Sequence, residues 1–83
     1  MSAPENAVEA DRYYVEVRFE QVGPPAVQGW WSDGEVALRK YRGWVGSHGS
    51  RDGAVITLQA ESGGALEPMR TWTKERGEVI HRR

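Results

Sequence analysis

The chain contains no cysteine. Disulfide stapling, a thiol nucleophile and a Cys-based zinc site are therefore excluded. Histidine occurs twice, at His48 and His81, with no ligand-spaced partners, so neither a metal site nor a cofactor is expected. Lysine is equally scarce: two residues against nine arginines. With frequent Gly, Ala and Val, that bias points to a GC-rich bacterial genome rather than to a function. No apolar run approaches the roughly 18 residues of a membrane-spanning helix. Residues 1–6 lack the basic start and apolar stretch of a secretion signal, which sets the expectation of a cytoplasmic protein.

What is present is a chain of 83 residues, enough for one small domain. A domain this size buries only about 60% of the surface its unfolded chain exposes. Large side chains must then carry the core. Four Trp, three Tyr and one Phe meet that need, since each aromatic buries roughly 150–250 Å². The formal net charge of −1 predicts neither nucleic-acid nor membrane binding. Charge is nonetheless uneven: residues 1–35 carry −5 and residues 36–83 carry +4. Neighbours of opposite sign within one fold account for this asymmetry.

Residues 1–11 are polar, acidic and without periodicity, and are expected to form a disordered arm. Residues 12–83 form the domain. Over 12–22, Tyr13, Val15, Val17 and Phe19 alternate with Tyr14, Glu16, Arg18 and Glu20. This period of two predicts a half-buried strand, ended by Gly23-Pro24-Pro25. Ser32 with Glu35 three residues on reads as a capping box, and Trp31 with Val36 as its hydrophobic staple. The spacing of Ala37, Leu38, Tyr41, Trp44 and Val45 predicts a helix over 33–46, with Gly46 or Gly49 as a left-handed stop. Strands are expected over 54–61 and 68–75, with a short fourth around 79–81. Pro68 pushes the third strand toward an edge. The order strand-helix-strand-strand gives an α+β domain: one helix packed on one face of a three- or four-stranded mixed sheet. A right-handed crossover is expected if the first two strands are parallel neighbours.

The loop Ser47-His48-Gly49-Ser50-Arg51-Asp52 contains every residue type of a hydrolase triad. No nucleophile elbow of the G-x-S-x-G kind accompanies them, and neighbours in one short loop rarely reach triad geometry. A solvated turn is the expected role. The same loop follows a helix instead of opening one, so the nearby helix dipole disfavours phosphate. Glu16 and Glu20 lie on one strand face, roughly 13 Å apart along the strand, beyond glycosidase spacings.

The expected function is a small non-enzymatic interaction or regulatory module. It would bind another protein, or a copy of itself, through an open sheet face or edge. Tyr14, Trp30, Trp72 and Arg18 are the candidate partner-binding residues, because Trp, Tyr and Arg dominate interface hot spots. One alternative is a single-stranded nucleic-acid binder using Tyr14, Arg18, Arg70, Trp72 and Lys74, or the basic helix face of Arg39, Lys40 and Arg42. Glu16, Glu20 and the net charge oppose it. Another is a small-ligand protein with its site at a dimer interface.

Overall fold

The computed structural model describes residues 10–20 and 22–81. Strand β1 (Arg12–Arg18) forms where the apolar–polar alternation is strictest. It is followed by β2 (Val27–Trp31), helix α1 (Gly34–His48), β3 (Val55–Ser62), β4 (Ala65–Thr73) and β5 (Gly77–Ile80). The strands make one five-stranded sheet in the order β2-β1-β3-β4-β5, with every neighbouring pair antiparallel. The protein is thus a small α+β domain with one helix on one sheet face. The sheet is larger than expected and is antiparallel, not mixed.

The difference traces to β2, which pattern reading misses. Val27-Gln28-Gly29-Trp30-Trp31 has glycine at its centre and adjacent indoles at its end, so it shows no alternation. Pairing with β1, from Tyr13↔Trp31 to Val17↔Val27, makes it a strand. The helix therefore links β2 to β3, which flank β1 on either side, and β1 and β3 are antiparallel neighbours. No crossover between parallel neighbours arises.

The helix start also moves by one residue. Asp33 is the N-cap, its Oδ1 accepting from the backbone N–H of Glu35 at 2.8 Å and of Val36 at 3.3 Å. Ser32 does not cap, because β2 carries the chain to Trp31 and the turn into the helix falls on Asp33. A carboxylate there also meets the positive end of the helix dipole. The helix ends at Gly49, whose φ of −68° is right-handed, not the left-handed stop expected. Glycine is needed for another reason: a Cβ at Gly49 would lie 2.5 Å from the Trp72 indole nitrogen.

Strands β3 and β4 are joined by Gly63-Gly64, both at positive φ, between the paired residues Ser62 and Ala65. That is a two-residue hairpin turn, which glycine adopts without strain. It lengthens β4 at its start relative to the sequence reading. Pro68 lies outside the part of β4 that β5 covers, so its missing N–H breaks no ladder between them. Of the arm expected over 1–11, residues 1–9 fall outside the described residues. Asp11 is no arm residue: its N–H donates to the Glu61 carbonyl at 2.8 Å and its carboxylate accepts from the Gly63 N–H at 3.2 Å.

The core lies between α1 and the β1–β3 pair. Val15 faces Leu58 and Val17 faces Ile56 in register, with Ala37 and Tyr41 of α1 packed on them. Tyr41 has no solvent exposure. Its hydroxyl lies near the Glu78 carboxylate but meets no partner at hydrogen-bonding geometry among the described residues. Burial, reinforced by Glu78, pushes its ionisation well above the ordinary phenol range. No described helix is long and apolar enough to cross a membrane.

Two predictions arise from this packing. Asp33→Ala is expected to cost about 0.5–2 kcal/mol in denaturant unfolding, and Ser32→Ala close to nothing; equal losses would return the cap to Ser32. Tyr41→Phe is expected to leave stability at pH 7 unchanged or higher, since an unmet buried hydroxyl costs about 1–3 kcal/mol. The folded chain holds the Tyr41 proton more tightly than the unfolded chain, which releases it above about pH 10. Stability contributed by Tyr41 is therefore full below pH 10 and lost as pH rises further. The phenylalanine variant should show a shallower alkaline decline in the same titration.

Candidate functional site

The face of the sheet opposite α1 carries no second layer among the described residues. In an antiparallel sheet, directly paired residues share a face. Tyr14 is paired with Trp30 on β2 and with Gln59 on β3, and Glu16 with Gln28 and Thr57. The polar half of the β1 alternation thus recruits its neighbours to one surface.

At the β2 side of this surface the side chains form a connected group. The Tyr14 and Trp30 rings lie 4.7 Å apart, tilted by 41°. The Arg12 guanidinium sits 3.9 Å above the Trp30 ring. Its Nε donates to Glu61 Oε1 at 2.7 Å. The Tyr14 hydroxyl donates to Gln28 Oε1 at 2.6 Å. These neighbours cover Tyr14 until only 8% is exposed, whereas Trp30 keeps 41%. Desolvation raises the ionisation of the Tyr14 phenol, and Glu16 adds to the rise. The phenol is therefore a neutral donor at physiological pH.

Arg18 is on the same face at the other end of β1. Its Nε pairs with Glu16 Oε2 at 2.5 Å, and its Nη1 donates to the Gly23 carbonyl at 2.5 Å. It ties the β1–β2 connection to the sheet. Both arginines of this face carry a carboxylate partner, so the surface is amphipathic and nearly neutral.

Trp72 departs from the sequence reading. Its register partner is Ile56, so it lies on the helix side of the sheet. It packs against the core, half-buried, with Nε1 donating to the Gly49 carbonyl at 3.0 Å. Arg70 shares that side and pairs with Glu78 at 3.0 Å. Lys74 reaches Asp52 at 2.7 Å, which lowers the Asp52 ionisation and raises that of Lys74. Of the four candidate partner residues, Tyr14, Trp30 and Arg18 are gathered on one face and Trp72 is not. Sequence reasoning passed over Arg12, Gln28 and Glu61, which complete the group. Arg12 and Glu61 were legible only as opposite charges, 49 positions apart.

Of the triad candidates, Ser47 and His48 lie in the last turn of α1 and not in a loop, and Ser47, His48 and Asp52 are engaged elsewhere. Ser47 Oγ donates back to the Gly43 carbonyl at 3.1 Å. The His48 ring meets Phe19 edge-on at 6.0 Å, and Asp52 holds Lys74. No group of three metal-ligating side chains occurs among the described residues. Comparison with family models, with curated proteins and with solved structures finds no match to this chain.

The two indoles should separate cleanly in unfolding experiments. Trp72→Ala is expected to cost about 2–4 kcal/mol, as for removal of a packed aromatic. Trp30→Ala should cost about 1 kcal/mol, the scale of exposed stacking and cation–π contacts. A reversed order in denaturant midpoints would overturn the assignment of faces.

Proposed function

We propose that this chain is a small non-enzymatic module that binds another protein chain through the open face of its sheet beside β2. The observation that supports the reading is Trp30. Its indole is two-fifths exposed, and contacts with Arg12 and Tyr14 hold it in one orientation. Leaving a large apolar ring in water is costly unless a partner covers it. A rigid Trp flanked by Tyr and Arg is the composition of an interface hot spot, with little conformational entropy left to lose. The surrounding Gln28, Gln59 and Thr57 supply the polar rim such a patch needs. Nucleic acid is a poorer match for this surface. Arg12 and Arg18 are already paired to Glu61 and Glu16, and phosphate would have to displace those carboxylates.

The test compares wild type with Trp30→Ala, each immobilised and exposed to extract of the source cells, with self-association measured in parallel. The expected result is a defined chain held by wild type and lost from the variant, while both melt within a few degrees of each other. Equal retention by both, or no association of any kind by wild type, would overturn the proposal.

A further inference from the structure

We propose that β2 is the contact edge and that its occupant is a second copy of this chain. The two β2 strands would pair antiparallel about a twofold axis at Gly29 and join two five-stranded sheets into one. This rests on the reading of the chain as an interaction module and names its partner.

Among the described residues the sheet ends in two strands, β2 and β5, and each leaves one row of backbone groups without a neighbouring strand. Soluble proteins usually blunt such edges with charges, proline or bulges. Strand β5 is defended in this way. It is four residues long and carries Glu78. Lys74, Glu75 and Arg76 precede it, and the sequence continues with His81-Arg82-Arg83. Two copies joined there would bring net positive flanks together.

Strand β2 is nearly as short, at five residues, and Pro24-Pro25 precede it, but the strand itself lacks the charges that guard β5. Val27-Gln28-Gly29-Trp30-Trp31 contains no charge and no proline, and its pairing with β1 is in unbroken register. The nearest charge in sequence, Asp33, is occupied as the helix cap. The strand also concentrates the indoles. Trp30 lies on the open face. Trp31 lies on the helix face, where Trp44 of α1 packs against it edge-on at 5.8 Å. Three of the four tryptophans in the chain therefore border one edge strand that carries no charge of its own. Aromatic enrichment with depletion of charge is the signature of an interface centre.

A second copy suits this edge because the strand complements itself. With the axis at its middle residue, Trp30 stands opposite the partner's Gln28 and Trp31 opposite the partner's Val27, each pair occurring twice. On the open face the row across the seam reads Tyr14, Trp30, the partner's Gln28 and the partner's Glu16. Each large ring meets a smaller side chain, and no like charges face each other. The two Asp33 carboxylates fall at opposite ends of the seam, about 26 Å apart along the strand direction. Both α1 helices lie on one side of the joined sheet and both open faces on the other. The contact is isologous and closes on itself. A five-residue seam is about 17 Å long and lies at the small end of specific interfaces. The dimer is therefore reversible and depends on concentration.

Charge exchange across the seam tests both the edge and the register. Sedimentation equilibrium from micromolar to millimolar chain should show wild type passing from monomer to dimer. The double variant Gln28→Lys/Trp30→Lys should associate at least about tenfold more weakly, as should Gln28→Glu/Trp30→Glu, because each sets like charges opposite one another. An equimolar mixture of the two should recover dimer, since each introduced cation then faces an introduced anion. Val79→Lys, on the β5 edge, should leave association unchanged. Should either double variant lose its circular dichroism, hydrogen exchange of wild type decides: β2 amides gain protection with concentration and β5 amides do not. A wild-type chain monomeric throughout, a folded pair that fails to recover on mixing, or loss through Val79→Lys would overturn the proposal. A monomeric wild type that still holds a different chain through Trp30 overturns only the second copy. One that neither self-associates nor holds another chain overturns the interaction reading as well.

Discussion

Val15 and Val17 meet Leu58 and Ile56 across the central strand pair, and none of the four is more than 2% exposed. The rest of the structure depends on this register. Side chains alternate along a strand with a period of two, so a slip of one residue would drive Glu16 and Arg18 inward and bring both valines out. Burying an unpaired charge costs far more than any surface contact in a domain this small could return. The valines also give α1 its seat: Tyr41 and Ala37 lie directly on the apolar side of β1 and β3. The same alternation sends Tyr14, Glu16 and Arg18 to the other side, where no described helix covers them. One physical constraint therefore builds the core and the candidate binding face together.

That face is not simply wet. Tyr14 is almost as buried as a core residue although it points away from the core. Trp30 and its hydrogen-bonded neighbour Gln28 cover it, and Arg12 is held over Trp30 by Glu61. The result is a small second cluster whose outermost member is an indole. Electrostatics follow the same economy. Arg12, Arg18, Arg70 and Lys74 each take a nearby carboxylate. Only Arg12 with Glu61 joins the two halves of the chain, so these pairs do not account for the charge difference between them. Two of the four join residues far apart in sequence: Arg12 with Glu61, 49 positions away, and Lys74 with Asp52, 22 positions away. Exposed pairs of this kind contribute little to stability individually.

The molecule is long for its size, with extents of 44 × 22 × 21 Å. Helix α1 packs over β1, β2 and β3, while the β3–β4 hairpin runs on to its glycine turn and Ala65 and Leu66 near the tip stay exposed. The core is accordingly concentrated under one helix. The Trp72 indole, bonded to the Gly49 carbonyl, anchors the helix C-terminus to β4. This explains why an indole that looked free for a partner is structural, and why the helix stops at a glycine with ordinary right-handed geometry.

By itself the sequence determined the strand β1, its two faces, the helix, the hairpin of β3 with β4 and the α+β class. Each is written in local periodicity or turn chemistry: alternation in β1, three-and-four spacing in α1, Gly63-Gly64 between two apolar segments. It also pointed to Tyr14 and Arg18 as surface candidates, because they fall on the polar half of that alternation, and to Trp30, because its neighbour Trp31 was read as the staple of the helix. Tertiary structure alone decided the rest. Strand β2 has no periodic signal and exists through pairing with β1, which made the sheet five-stranded and antiparallel and moved the helix cap from Ser32 to Asp33. The side taken by Trp72 depends on which strand it pairs with, a matter of register across the hairpin and its irregularity between Leu58 and Gln59. Arg12 and Glu61 meet only because β1 and β3 are neighbours. Periodicity fixes which way a side chain points from its own strand, and only strand pairing fixes what it finds there.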